Sequence, residues 1–253
     1  MNSIIHETAA IGDNCTIGNF TTISENVTVG EGCVIGNNVV IHPDSIIGDN
    51  VRIDDHAVIG KLPMRAANSA ITKEMELSPA NVGSNCIIGT STVIYRGCTL
   101  GEKVLAADLA TVRENVTVGS YTIIGRGVAI ENLVEIGSYC KIETNVYICA
   151  YSEIADYCFV APCVATSNDN FLGRSEKRFE LYGGVRIKKG GRIGVNATIL
   201  PGKTIAEDTV IAGGALLTKD TEPESIYAGT PAKYFRDVPE DELLKNQKPK
   251  EKK

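Results

Sequence analysis

Three histidines, one loop of amides and arginines, one run of cations and one carboxylate are the residues that could do chemistry in this chain of 253 residues. His6 and His42 stand thirty-six residues apart and His56 follows fourteen later, with no further histidine close behind His42. No Cys/His pair or CxxC has zinc spacing, so no metal is expected. The stretch Thr166 to about Arg186 mixes Asn168, Asp169, Asn170 and Phe171 with Arg174, Arg178, Phe179 and Tyr182. Such a set can hold a polar ring and stack a base; clasping a second subunit is an equally physical use. Arg186, Lys188, Lys189, Arg192, Lys203, Lys219, Lys233 and Arg236 then concentrate positive charge in a chain of net charge −6, which suits an anionic ligand such as a nucleotide diphosphate. Glu143, in Ile142-Glu143-Thr144-Asn145, is a carboxylate that could accept a proton from an attacking amine, or simply a surface turn residue.

The elements that must position these groups follow from a period of six. From Val82 to Val160 an aliphatic or small residue returns at every sixth position for fourteen hexads. Ile5 to Ile59 contributes ten more, and Ile187 to Leu217 another six. A helix repeats near 3.6 residues and an exposed strand near 2, so a strict six implies one short strand and one turn per hexad. That is the pattern of a parallel β-helix, with three hexads in each triangular coil. Thirty hexads make about ten coils and a prism roughly 45–50 Å long. Two loops interrupt it, at about 60–81 and 166–186; Lys61 and Arg65 in the first suit a phosphate. Tyr95, Arg113, Glu131, Glu143 and Cys149 occupy outward places where glycine is usual, and solvated turns are expected for most of them, with Glu143 singled out.

Composition fits a solenoid, which grows by repetition where a compact globule would split. Tryptophan is absent and aromatics are 6%, because a narrow interior takes layers of Ile and Val. The net negative charge argues against a general nucleic-acid binder. No apolar run is long enough to span a membrane, and MNSIIHETAA has neither a basic n-region nor an apolar h-region, so a cytoplasmic protein is expected. Six of the eight cysteines lie four after an aliphatic start, where a small inward side chain is needed; Cys149 and Cys163 depart from that place, and packing is expected for them too. The β-helix domain is placed at 1–222 and a C-terminal extension at 223–253, with a short helix over Glu240–Asn246 and a frayed basic tail.

The hexads, Thr198-Ile199-Leu200-Pro201-Gly202, the Gly213-Gly214 turn before Leu217-Thr218-Lys219-Asp220, and Ala228-Gly229-Thr230-Pro231-Ala232-Lys233 together resemble the hexapeptide-repeat acyltransferases. The Ser167-Asn168-Asp169-Asn170-Phe171 loop and the long N-terminal run are similar to the N-acetyltransferases of nucleotide-linked amino sugars, especially dTDP-3-amino-3,6-dideoxyhexoses. The resemblance implies an all-β, left-handed parallel β-helix and a homotrimer with a site in each groove between neighbouring prisms. It implies acetyl-CoA as cosubstrate, lying along the last coils, with Lys188, Lys189, Lys219 and Lys233 as phosphate partners beside Gly213 and Pro231. Asn168, Asp169, Asn170, Phe171, Arg174 and Tyr182 would close on the acceptor. The family's usual base is a histidine, and none lies near these features in sequence. Glu143 is the first candidate for that role, with Asn145 as a donor to the oxyanion; the alternative is an amine that arrives neutral. The expected function is acetyl-CoA-dependent N-acetylation of a nucleotide-linked amino sugar. The rivals are O-acetyl or longer acyl transfer on the same fold, and a non-catalytic β-helix scaffold.

Overall fold

The computed structural model describes residues 2–64, 66–67 and 76–247. Nearly every hexad forms a two-residue strand whose second residue is the aliphatic one and points inward; Ile23, Ile41, Ile88, Ile124, Ile130 and Ile142 are all fully buried. The residue two places earlier is also inward, as at Val27, Cys33, Val116 and Cys140. Three residues beyond the aliphatic one, the backbone turns through the left-handed region, at φ 56° for Asn26, 58° for Asn145 and 62° for Tyr121. Asparagine tolerates that region better than most side chains, which explains its recurrence at this place. Glycine directly after the aliphatic residue has a different cause. A Cβ on Gly12 would stand 2.6 Å from the carbonyl carbon of Gly30 in the next coil.

Residues eighteen apart therefore stack, and the chain closes into a left-handed prism with three parallel faces. The first face has eleven strands, from Ile4–Ile5 to Leu216–Leu217. The second has ten, from Ala10–Ile11 to Thr204–Ile205. The third has twelve, from Thr16–Ile17 to Val210–Ile211, completed by Ser225–Ala228 and the antiparallel Lys233–Asp237. The outward residues differ by face. Val40, Val58, Val93 and Ala129 stand on the first among threonines such as Thr22 and Thr111, and Val34, Ile87, Leu105 and Ile123 on the third with Arg52, Lys141 and Arg192, whereas the second carries Thr99, Thr117, Glu135, Glu153 and Arg186 beside Ile46.

Both loops leave the same edge, where the first face turns into the second. One lies between Val58–Lys61 and Asn81–Val82, the other between Ala165–Thr166 and Arg186–Ile187. The second contains a one-turn helix, Arg178–Leu181, which period-six reasoning does not reveal. The expected helix at Glu240–Asn246 is instead two 3₁₀ turns, Glu240–Glu242 and Leu244–Asn246. Leu243 between them is buried, and the Leu244 N–H donates to the Asp208 carboxylate at 3.2 Å, so docking on the last coils replaces a continuous α-turn ladder. Cys149 is buried as expected, but Cys163 is exposed because it occupies a left-handed turn position, φ 60°. No helix among the described residues is long and apolar enough to cross a membrane.

Replacing Ile130 by Ala should cost about 2–5 kcal/mol, since the coils cannot close on the void. Thr117→Ala on the second face should change stability by no more than about 0.5 kcal/mol. Denaturant midpoints of the two variants test the inside-outside assignment.

Candidate functional site

Four successive turns separate the two loops on their shared edge: 95–98, 113–116, 131–134 and 149–152. At about 4.8 Å per coil, they form a strip roughly 20 Å long between the loop roots. At the other two edges the residue after the aliphatic one is usually glycine or alanine; here it is Tyr95, Arg113, Glu131 and Cys149, eighteen residues apart. Their side chains are not solvated turns. Tyr95 is 5% exposed and Cys149 1%.

Arg113 is the centre of this strip. Its Nε and Nη2 donate to the two oxygens of Glu114 at 2.8 and 2.9 Å, and its Nη1 donates to Glu131 Oε2 at 3.1 Å. The guanidinium also lies 5.3 Å from the Tyr95 ring centroid, and Lys61 Nζ approaches the same ring at 5.3 Å. Glu114 is 3% exposed, so its bidentate partner is what makes a buried carboxylate tolerable. Asn132 is equally buried, and its Oδ1 has no hydrogen-bond partner. A buried acceptor without a donor costs roughly 1–3 kcal/mol. Tyr147 adjoins the group from the first face; burial first, then the Glu131 charge, pushes its phenol up to about 12.

The loops are tied to either end of the strip. Arg96 donates to the carbonyls of Leu77 at 3.0 Å and Pro43 at 2.8 Å and to Asp44 at 2.9 Å, clamping the foot of the first loop. His42 stands at the same foot: a Cβ on Gly60 would meet the His42 Cβ at 3.2 Å. Burial, and secondarily the Lys61 charge, lowers the His42 pKa. A histidine distant from the loops in sequence is thus beside one of them in space. At the other end, Ser152 Oγ donates to the Cys149 carbonyl at 2.7 Å and accepts from the Val185 N–H at 3.2 Å. Gly184 packs against the Tyr151 carbonyl, where any side chain would collide.

The residues expected from sequence separate into groups. Asn168, Asp169, Asn170, Phe171, Arg174 and Tyr182 do lie together in the second loop on this edge. Asp169, however, is engaged internally, accepting from the N–H groups of Phe171 at 2.7 Å and Gly173 at 3.0 Å. Burial opposes its ionisation, but those two bonds hold its carboxyl below the usual range. Glu143 and Asn145 follow Ile142 of the third face and belong to the edge between the third and first faces. Within one chain they do not meet the loops. Gly213 shares their edge, while Lys188 and Lys189 follow Ile187 on the edge between the second and third faces. Lys219 follows Leu217 at the end of the loop edge, and Pro231 and Lys233 belong to the C-terminal hairpin. Arg65 lies outside the described residues. Glu114, Asn132 and Arg96 are the residues that sequence reasoning passed over, and His42 is one it set aside as distant from the loops. Sorting the glycine replacements by eighteen gathers Tyr95, Arg113, Glu131 and Cys149, and sets Glu143 apart. Among the described residues no group of His, Cys, Asp and Glu has the arrangement of a metal site.

Comparison with known proteins agrees with this architecture. Residues 8–43 match the family described as "Hexapeptide repeat of succinyl-transferase", and residues 29–127 the "GMPPB C-terminal domain". The Staphylococcus aureus (strain COL) protein named "Putative acetyltransferase SACOL2570" is 39% identical over 77 residues, 30% of this chain and 38% of that protein. A Schizosaccharomyces pombe protein of the same description, C18B11.09c, is 37% identical over 76 residues, 30% of this chain and 36% of its own length. The chain thus spans little more than a third of these curated relatives. A UDP-N-acetylglucosamine acyltransferase structure from Bacteroides fragilis shares the fold, with a TM-score of 0.50, 21% identity, and coverage of 92% of this chain and 72% of that one. The chain is a hexapeptide-repeat protein. Over the matched stretches its repeats are similar to those of proteins described as acetyltransferases.

Arg113→Met should destabilise the fold by about 3–5 kcal/mol by leaving Glu114 buried without its partner, and Arg113→Met/Glu114→Gln should recover most of that loss in denaturant melts. His42 should titrate below 6.5 by NMR, and Lys61→Met should move its midpoint upward. Because the unfolded chain binds the proton first, His42 lowers stability as pH falls below 6.5; His42→Gln should flatten that dependence.

Proposed function

We propose that this chain is an acetyl-CoA-dependent N-acetyltransferase acting on the amino group of a nucleotide-linked amino sugar, with the acceptor amine held on the loop edge. The observation that carries the assignment is the half-buried Glu131 carboxylate on the loop edge, anchored by Arg113 at 3.1 Å. An ammonium group is both a donor and a counter-charge for that carboxylate, whereas a hydroxyl is a donor alone. Glu131 takes the role first expected of Glu143, which stands on another edge. Its carboxylate accepts a proton from the ammonium, the neutral amine attacks the thioester carbonyl, and the tetrahedral intermediate collapses to amide and thiolate. The remaining amine proton passes to the thiolate. Asn168, Asn170, Phe171, Arg174 and Tyr182 in the second loop supply contacts for the sugar nucleotide, and Lys188 and Lys189 partners for coenzyme A phosphates. Lys219, Lys233, Gly213 and Pro231 flank the last coils as further coenzyme contacts, while Asn145, an exposed turn residue, has less support as an oxyanion donor.

The apolar first and third faces support a homotrimer. Both flank a single edge, so packing that edge toward a threefold axis covers Val93 and Ala129 of one copy and Ile87 and Ile123 of another. The polar second face stays outward.

Thiol release from acetyl-CoA, measured against dTDP- and UDP-linked 3-amino and 4-amino sugars and their hydroxyl counterparts, tests the assignment. Turnover of an amino sugar is expected, with Glu131→Gln slower by about 10²-fold and Glu143→Gln near wild type. A large loss in Glu143→Gln alone would return the base to that residue. Turnover of only hydroxyl sugars would establish O-acylation, and failure to bind coenzyme A would leave the scaffold.

A further inference from the structure

Two carboxylates share one guanidinium on the loop edge, and they share it unequally. Glu114, 3% exposed, takes the fork, with Arg113 Nε and Nη2 donating to its two oxygens at 2.8 and 2.9 Å. Glu131, 23% exposed, takes one bond, from Nη1 to Oε2 at 3.1 Å, and the guanidinium leaves its Oε1 alone. The bidentate grip thus falls on the carboxylate that is sealed from solvent, and the single bond on the one that a ligand can reach. Repeat geometry accounts for the difference. Arg113 follows the inward Val112 of Thr111–Val112, and Glu114 is its neighbour in the same turn, whereas Glu131 follows Ile130 of Ala129–Ile130, one coil further on. Tyr95 backs the guanidinium from the preceding coil, with its ring centroid 5.3 Å away.

Charge divides in the same way. Two carboxylates and one guanidinium leave a surplus of negative charge that is the complement of a single ammonium. Lys61 Nζ is engaged with the Tyr95 ring at 5.3 Å from its centroid. The Tyr147 phenol, pushed up to about 12 by burial and then by the Glu131 charge, stays neutral. Neither group competes with Glu114 for the fork. Were Glu114 uncharged, Glu131 would be the carboxylate already bonded to the released donors' own guanidinium, and a planar fork matches both oxygens of a carboxylate.

We propose that Glu114 is a positioning residue: by occupying the Arg113 fork it keeps that fork off Glu131, and so leaves Glu131 Oε1 and the surplus charge to the acceptor ammonium. Glu114 itself touches no substrate. Without its charge the guanidinium turns to Glu131, closes Oε1 in a bidentate pair and fills the site with the protein's own cation before an amine arrives. This rests on the reading of Glu131 as the base for its activity assay, and on geometry alone for the division of the fork.

A crystal structure of ligand-free Glu114→Gln tests the division directly. Arg113 should bond both oxygens of Glu131; a Glu131 that still takes one bond would overturn the proposal. Turnover tests the consequence. Glu114→Gln should lose about tenfold or more in kcat/KM for the amino sugar, with KM for acetyl-CoA unchanged. Arg113→Met/Glu114→Gln removes the blocking cation as well, and should be about threefold or more faster than Glu114→Gln, measured well below both melting temperatures. A double variant no faster than the single one would make Glu114 merely structural and sink the positioning role. Glu114→Asp keeps the buried charge but draws it back by one methylene, so it should fall between wild type and Glu114→Gln; full wild-type turnover there, with one bond left on the fork, would also overturn the proposal. Closure of Glu131 in the crystal, with no acyl transfer by the wild type to any amine, would keep the division of the fork and refute the acyltransferase reading.

Discussion

Every coil must lie directly on the coil eighteen residues before it. Parallel strands bond only near 4.8 Å, and a corner that turned too early would carry all later side chains to the wrong side. The recurring turn of the hexad meets this demand. A small residue after the buried aliphatic one lets the backbones touch, and a residue in the left-handed region redirects the chain. Stability is then distributed along the prism as intrinsic coil and nearest-neighbour terms. No local segment holds a private core.

That constraint also makes departures conspicuous. A large side chain after the aliphatic residue is tolerated only where the next coil leaves room or supplies a partner. Along the loop edge the partners are one another: Tyr95 supports Arg113, Arg113 neutralises Glu114 and anchors Glu131, and Tyr147 borders them. Burial makes this arrangement demanding, because an ion pair removed from water is stable only when both members remain. The unpartnered Asn132 oxygen is the exception within an otherwise satisfied group.

The faces of the prism extend the same logic to association. Inward positions are aliphatic on all three sides, so the core does not distinguish one side from another. Outward positions do. Valine and isoleucine recur on the first and third faces, while threonine and glutamate suit the solvent on the second.

The amino-acid sequence by itself determined the solenoid, its three runs of hexads, the two loops and the inward place of most cysteines. These depend on a short local rule that is repeated, and repetition makes it legible. It did not determine which carboxylate matters. Glu143 and Glu131 look alike in a hexad, but one is two hexads past the other and hence on a different edge. His42 is far from the second half of the chain, yet stands at the foot of a loop that interrupts the coil above it. The final residues dock through Leu243 and Asp208 rather than as an α-helix, a choice made by the surface they meet. Only the tertiary structure decided these points, because the closing of each coil converts a separation of eighteen residues into contact and a separation of twelve into opposite corners.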